Sequence, residues 1–200
     1  MRNTFDRFNG RHQDYQAARP SYAQEFLDWL GELYAPPERY TAADIGSGTG
    51  KLSAQLLAAG FRVCGVEPNP DMRGAAEALL GGDPRFSSSN GTDHDTGLPD
   101  RSVDMVAAAQ AFHWFDGPAF ARECRRILRP GGRAVLVWNV RGSAPVNQAL
   151  AQVFREHCPS FHGFTGGMGE DDPRIRDFFG GAYEKRRFPN PLTLDRDQFL

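Results

Sequence analysis

Hydrophobic positions along the chain follow two periods. After Pro20, the residues Tyr22, Phe26, Trp29, Leu30 and Leu33 recur at helical spacing, which predicts an amphipathic helix. An apolar run then ends at Ala42-Ala43-Asp44-Ile45 and gives way to glycines. Leu52 to Ala59 has a helical pattern that Gly60 ends, and Phe61 to Val66 reads as a strand. Asp71 to Leu80 reads as a helix, Arg85 to Ser89 as a short strand, and Val103 to Ala109 as a buried strand of small and branched residues. In Pro118 to Leu128 the residues Phe120, Cys124, Ile127 and Leu128 share a face, with Arg125, Arg126 and Arg129 near the end, where cations suit the helix dipole. Pro130-Gly131-Gly132 stops that helix and Ala134 to Trp138 is a fifth strand. Strand and helix alternate throughout, so the pattern predicts an α/β fold, a doubly wound and mostly parallel sheet with right-handed crossovers.

Outside this frame the pattern is weaker. A helix is predicted over Phe5 to Ala18, broken before Pro20, because proline disfavours helical backbone in the residue that precedes it. Val146, Leu150, Val153 and Phe154 mark a helix, residues 159–170 a Gly- and aromatic-rich loop, and Phe178-Phe179 the end of a short helix. Tyr183 to Pro189 alternates as a strand does, and Asp195 to Gln198 fits a helix start.

The chemistry concentrates at residues 44–50, Asp-Ile-Gly-Ser-Gly-Thr-Gly. Strand, glycine turn and helix place bare backbone and unpaired N–H groups where a ligand can meet them. Three nucleotide-binding turns compete for this stretch. The dinucleotide fingerprint G-x-G-x-x-G needs glycine where Lys51 stands. The phosphate loop would need glycine at Ile45 and a hydroxyl residue at Leu52. The spacing that fits is D-x-G-x-G-x-G. It sets a carboxylate, Asp44, two residues before Gly46, which repels a pyrophosphate and suits a ligand with an ammonium group; the alternative for Asp44 is a turn-capping carboxylate. Glu67 ends the second strand, where an acid can accept from both ribose hydroxyls.

Composition narrows the classes. The chain has 200 residues, 40% hydrophobic and 24% charged, with a net charge of −2. One globular domain over 1–200 is expected, with no global field favouring nucleic acid or anionic membrane. Lys51 and Lys185 are the only lysines, and Cys64, Cys124 and Cys158 have neither a disulfide framework nor metal-ligand spacing. The histidines are scattered, so no metal site is expected. No apolar run has membrane-spanning length and no signal-peptide core is visible, so a cytoplasmic protein is expected.

Taken together, the strings at 44–50, 66–72 (Val-Glu-Pro-Asn-Pro-Asp-Met), 97–104, 108–115 and 125–133 resemble a class I S-adenosylmethionine-dependent methyltransferase, of the type 11-like group. Ala-Phe-His-Trp-Phe at 111–115 and the last string resemble the trans-aconitate-methyltransferase-like proteins. The resemblance implies S-adenosylmethionine as cofactor, held by Asp44, Gly46, Ser47, Gly48, Gly50, Glu67 and Pro68, with Met72 flanking the adenine. An acid in the 92–94 loop, taken as Asp93, would meet the adenine amino group, and Gln110 would fix its loop or touch the cofactor. The leader 1–35 would lie over the pocket, Arg19 pairing with the methionine carboxylate, and 141–181 would form a substrate-side insertion. His113, among Phe112, Trp114 and Phe115, is the candidate catalytic group: a base, an orienting donor, or a packed histidine. A small-molecule methyl acceptor is expected, with no nucleic-acid or membrane partner. The family's sheet ordinarily ends with an antiparallel strand beside the fifth; the resemblance leaves no residues here for it, so the expectation is a sequence cut short, or an edge closed by another chain or left irregular. An edge left open in this way invites pairing between copies, so a homodimer is a further expectation.

Overall fold

The structure, a computed structural model, describes residues 20–142, 145–158, 160–161 and 168–192. Five strands form one sheet in the order β3-β2-β1-β4-β5, with every pairing parallel. They are β1 (Thr41–Ile45), β2 (Arg62–Val66), β3 (Phe86–Ser89), β4 (Val103–Ala109) and β5 (Leu128–Val137). The helices are α1 (Gln24–Leu33), α2 (Lys51–Ala58), α3 (Pro70–Leu80), α4 (Gly117–Ile127), α5 (Pro145–His157) and α6 (Pro173–Phe178). The chain winds outward from β1 to β3, then returns to lay β4 on the other side of β1. The point where the direction reverses opens a crevice at the carboxyl ends of β1 and β4, the usual ligand position in such sheets.

Alternation within the buried strands sorts side chains onto two cores. Ile45, Val66, Val106, Phe120, Ile127 and Phe178 pack on the face covered by α4 and α6. Ala42, Val63, Met105, Leu30, Leu56 and Phe61 pack on the face covered by α1 and α2. Phe112 sits in an aromatic cluster with Phe178 (5.2 Å), Phe120 (6.1 Å) and Phe115 (6.3 Å) between ring centres, which braces the segment after β4 from behind.

Two boundaries differ from the sequence pattern. Helix α4 stops at Ile127 and β5 begins at Leu128, well before Ala134. Leu128 pairs with Val103, then the register jumps so that Arg133 pairs with Met105. The excursion between them holds Pro130, which has no N–H to give, and Gly131 at φ 82°. A side chain on Gly132 would come within 2.9 Å of the Asp104 carbonyl. Asp104 itself fastens this corner, accepting from Thr41 N (2.8 Å) and Arg129 Nη1 (2.7 Å).

The second correction concerns Tyr183 to Pro189, which has no strand pairing. One side of this stretch packs instead: Phe188 lies 5.8 Å from Phe26 and 5.9 Å from Trp29, and Arg186 covers the Trp29 ring at 5.1 Å. Asn190 Nδ2 donates to Ser21 O (2.8 Å) and Asn139 Oδ1 (3.0 Å), while Asn139 Nδ2 donates to Ser21 O (3.2 Å) and Pro20 O (3.3 Å). Among the described residues β5 is therefore an edge strand, and it carries Arg129, Pro130 and Arg133, residues that discourage edge pairing. The expected helices over Phe5 to Ala18 and Asp195 to Gln198 lie outside the described residues. Among those described, no helix is long and apolar enough to cross a membrane.

Candidate functional site

The turn after β1 hangs from the end of β2. Gly46 N and Ser47 N both donate to Val66 O, at 2.8 and 3.2 Å. Gly46, Gly48 and Gly50 all have positive φ (70°, 57° and 82°), a conformation that glycine reaches at little cost. Two of them also face a close neighbour. A Cβ on Gly46 would lie 2.8 Å from Ala111 Cβ, and one on Gly50 would lie 2.8 Å from Leu80 Cδ1, where α2 meets α3. A Cβ on Gly48 would meet nothing within 4 Å. Gly48 therefore leaves its backbone open to whatever occupies the crevice.

Glu67 stands beside it, 9% exposed. Its Oε2 accepts from Gly48 N (2.9 Å) and its Oε1 from Asn69 N (2.8 Å). Burial raises its pKa, and the two backbone N–H groups and Arg73 oppose that rise. A carboxylate offers about four lone-pair positions, so two remain for a ligand's hydroxyls. Asn69 then caps α3, accepting from Asp71 N and Met72 N (3.0 Å each), with Pro70 at the first helical position. This cap fixes Met72, 3% exposed, against the crevice.

Asp44 lies deeper than Glu67. It is 1% exposed and lies beneath the turn, outside the cavity lining. Ser53 Oγ, on α2, donates to Asp44 Oδ2 at 2.7 Å, and Oδ1 is buried with no hydrogen-bond partner. Burial drives its pKa up to about 6, against the Ser53 hydrogen bonds and with a small push from Glu67. An uncompensated buried carboxylate favours its neutral form.

The opposite wall comes from the segment after β4. Gln110 has a left-handed backbone, φ 55°, rare for a residue with a Cβ. Two bonds hold it there: its N–H donates to Val137 O (2.8 Å), and Nε2 donates to Asn139 O (3.1 Å). The kink leads into a single 3₁₀ turn, Phe112–Trp114. Ala111, Trp114 and Phe115 line the cavity; His113 does not, and its ring sits 4.8 Å from that of Trp114. Asp93 closes the third side. Its Oδ2 accepts from Asp116 N (3.0 Å), tying the loop after β3 to the cap of α4, and its Oδ1 lies 3.1 Å from His94 Nδ1.

The resulting cavity is about 160 Å³, lined by Gly46, Gly48, Glu67, Pro68, Asn69, Met72, Thr92, Asp93, Ala109, Gln110, Ala111, Trp114 and Phe115. That volume is below the ~300 Å³ of pockets that enclose a drug-sized ligand, so a larger ligand would lie partly across it. Among the described residues, two carboxylates and no cation line it. Of the residues singled out in the sequence, Gly46, Gly48, Glu67, Pro68, Met72, Asp93 and Gln110 come together here. Asp44, Ser47, Gly50 and His113 stand outside the lining, and Arg19 lies outside the described residues. Asn69 is a lining residue the sequence reading passed over, although Asn-Pro before a helical pattern is a capping signal. Among the described residues there is no cluster able to hold a metal ion.

Comparison with known proteins adds the following. Residues 43–136 match the family model for a methyltransferase domain. An uncharacterised methyltransferase of Mycobacterium tuberculosis is 42% identical over 127 residues, covering 64% of this chain and 49% of that protein. The chain thus spans about half the length of the curated relatives it matches. A solved structure from Anaeromyxobacter dehalogenans, provisionally named a type II methyltransferase, superposes with a TM-score of 0.57 at 33% identity, over 88% of this chain and 70% of that one. A Methanococcus maripaludis protein, provisionally named an S-adenosyl-L-methionine-dependent methyltransferase, shares the fold at 20% identity and a TM-score of 0.56, over 81% of this chain and 85% of that one.

Proposed function

Because the chain belongs to the methyltransferase-domain family, we propose that it transfers a methyl group from S-adenosylmethionine to a small-molecule acceptor. The observation that carries this reading is the charge of the cavity: a bare glycine backbone and two carboxylates, with no cation among the described lining residues. Such a wall favours hydroxyls, amines and a sulfonium and repels phosphate. It argues against a dinucleotide, as does Lys51 at the place of the fingerprint's third glycine.

The residues fit the methyl donor part by part. Glu67 would accept from the ribose hydroxyls with the lone pairs its backbone partners leave. Pro68 and Met72 offer apolar contact to a base, with Thr92 and Asp93 as acceptors at its edge. Trp114 and Phe115 present aromatic faces, which attract a cationic sulfur. When bound, S-adenosylmethionine supplies a methyl group on a good leaving group. The chain's part is then alignment, which can contribute on the order of 7–11 kcal/mol. Among the described residues no histidine lines the cavity, so this wall favours positioning over proton removal, and His113 acts through the turn it belongs to.

Calorimetric titration with S-adenosylhomocysteine tests the reading. Binding is expected, and Glu67→Gln should weaken it about tenfold, the value of one hydrogen bond to a charged group. A folded protein that gives no heat would sink the proposal. An NADH fluorescence titration should show no binding.

A further inference from the structure

Strands β2 and β3 pair as far as Val66 with Ser89, and Glu67 N then donates to Ser89 O at 3.1 Å. Beyond that bond the two backbones part. One turns through Glu67, Pro68 and Asn69 into α3, and the other enters the 90–96 loop, which brings Thr92 and Asp93 to the donor cavity. The loop is closed at its neck, where Ser89 Oγ donates to Thr96 O at 2.8 Å and a Cβ on Gly91 would come within 2.5 Å of that same oxygen. It is fastened on the β4 side, by Thr96 to Glu123 (2.9 and 2.6 Å) and by Asp93 to Asp116 N (3.0 Å). Towards β2 the tie comes from α3.

Arg73 reaches back from α3 across the gap. Its Nη1 donates to Glu67 O at 2.8 Å and to Asn90 Oδ1 at 3.0 Å, with Pro68 O at 3.4 Å. That nitrogen carries two N–H groups, so the two shorter contacts use both. The side chain is 19% exposed, and its Nε lies 3.7 Å from Glu77 Oε1. A pair four residues apart is ordinary on a helix and contributes little. The contacts to Glu67 and Asn90 differ in kind, because they join acceptors on two loops that bear separate walls of the cavity. We propose that Arg73 is a positioning residue of the donor site: it holds the Glu67–Pro68 turn and the 90–96 loop at the separation a bound nucleoside requires. The inference rests on the methyl-donor reading for the identity of the nucleoside, while the brace itself can be measured without ligand.

The test compares wild type with Arg73→Met, Arg73→Lys and Glu77→Gln, each as the full chain and well below its melting temperature. Hydrogen exchange, read by mass spectrometry on the segment 88–96 without ligand, should quicken about fivefold in Arg73→Met, the worth of one ordinary hydrogen bond. Calorimetry with S-adenosylhomocysteine should show affinity falling by a similar factor. Arg73→Lys should recover part of both, since a lysine keeps the charge on a flexible stem without the fixed fork. Glu77→Gln should stay within about twofold of wild type in both, and exchange in α4 should be unchanged in every variant. Unaltered exchange at 88–96 in Arg73→Met overturns the brace. Faster exchange with S-adenosylhomocysteine affinity within twofold of wild type makes Arg73 a structural residue only and overturns its role at the site, as does an equal loss in Glu77→Gln. Should Arg73→Met not fold, Asn90→Ala removes the same bond from its exposed end and is judged by the same two readings. Wild type that gives no heat overturns the methyl-donor reading instead, and the exchange comparison still decides the brace.

Discussion

Removal of the Glu123 side chain on α4 should be costly for this fold. Glu123 is buried, and it accepts from Thr96 N (2.9 Å), Thr96 Oγ1 (2.6 Å), Arg126 Nε (2.8 Å) and Arg126 Nη2 (2.7 Å). Thr96 is fully buried, so Glu123→Ala leaves its N–H and its O–H donor without acceptors, at about 1–3 kcal/mol each, although the hydroxyl oxygen still accepts from Leu98 N. Arg126 keeps Asp100 (2.6 Å) and is partly solvated, so its share is under about 1 kcal/mol. The expected loss is about 3–5 kcal/mol, a large part of the ~5–15 kcal/mol of a typical domain. The same residue makes an acid-sensitive contribution. Burial works against its ionisation, but the hydrogen bonds from Arg126 and Thr96 outweigh burial and lower its pKa to about 2. A depressed carboxylate stabilises the fold above its ordinary pKa, and that contribution is lost as pH falls from about 4.5 toward 2. The shift corresponds to about 3 kcal/mol, and solvent around Arg126 reduces it to roughly half. Urea unfolding at pH 7 and pH 3 should show wild type losing more stability on acidification than Glu123→Gln, by about 1 kcal/mol. Equal losses would refute the assignment, since every other carboxylate is common to both proteins. Thr96 closes the loop that carries Thr92 and Asp93, so Glu123→Ala should also weaken S-adenosylhomocysteine binding in the fraction that remains folded.

Asp44 should behave in the opposite sense. Its pKa is raised to about 6, so its stabilising neutral form is lost as pH rises from about 4 through 6. Asp44→Asn should flatten the melting temperature between pH 5 and 8 and add up to about 3 kcal/mol at pH 8; an unchanged slope by scanning calorimetry would refute it. At the glycine turn two neighbouring changes should separate. Gly46→Ala meets Ala111 at 2.8 Å in a left-handed backbone and should cost about 2–4 kcal/mol in urea unfolding. Gly48→Ala enters open space, should cost about 1 kcal/mol, and should instead lower S-adenosylhomocysteine affinity in calorimetry.

The frame of the fold was legible because local chemistry and tertiary position agree there. Asp44, three glycines and a helical run can only be strand, turn and helix, and Glu67 falls at the end of the neighbouring strand because β1 and β2 pair in register, Ile45 with Val66. What spacing could not give is depth. Asp44 and Glu67 are both acids at strand ends, yet Ser53 draws one under the turn while Gly48 and Asn69 hold the other at the cavity. His113 shares its string with Trp114 and Phe115, and a 3₁₀ turn, which no periodicity announces, decides which of them reach the cavity. Of Thr92, Asp93 and His94, Thr92 and Asp93 line the cavity, and Asp93 also accepts from Asp116 N. Alternation at 183–189 came from Phe188 packing against α1, since a half-buried coil and an edge strand share that pattern.

Asn139 ties together stretches that are far apart in the chain. Its side chain grips the carbonyls of Pro20 and Ser21 and receives Asn190, while its own carbonyl takes the amide of Gln110. Gln110 is kept in a costly backbone shape by that grip together with its N–H bond to Val137 O. The segments at residues 20–21 and at Asn190 are thereby wired to one side of the crevice, and loosening either of them would let Gln110 relax and reshape the opening from a distance.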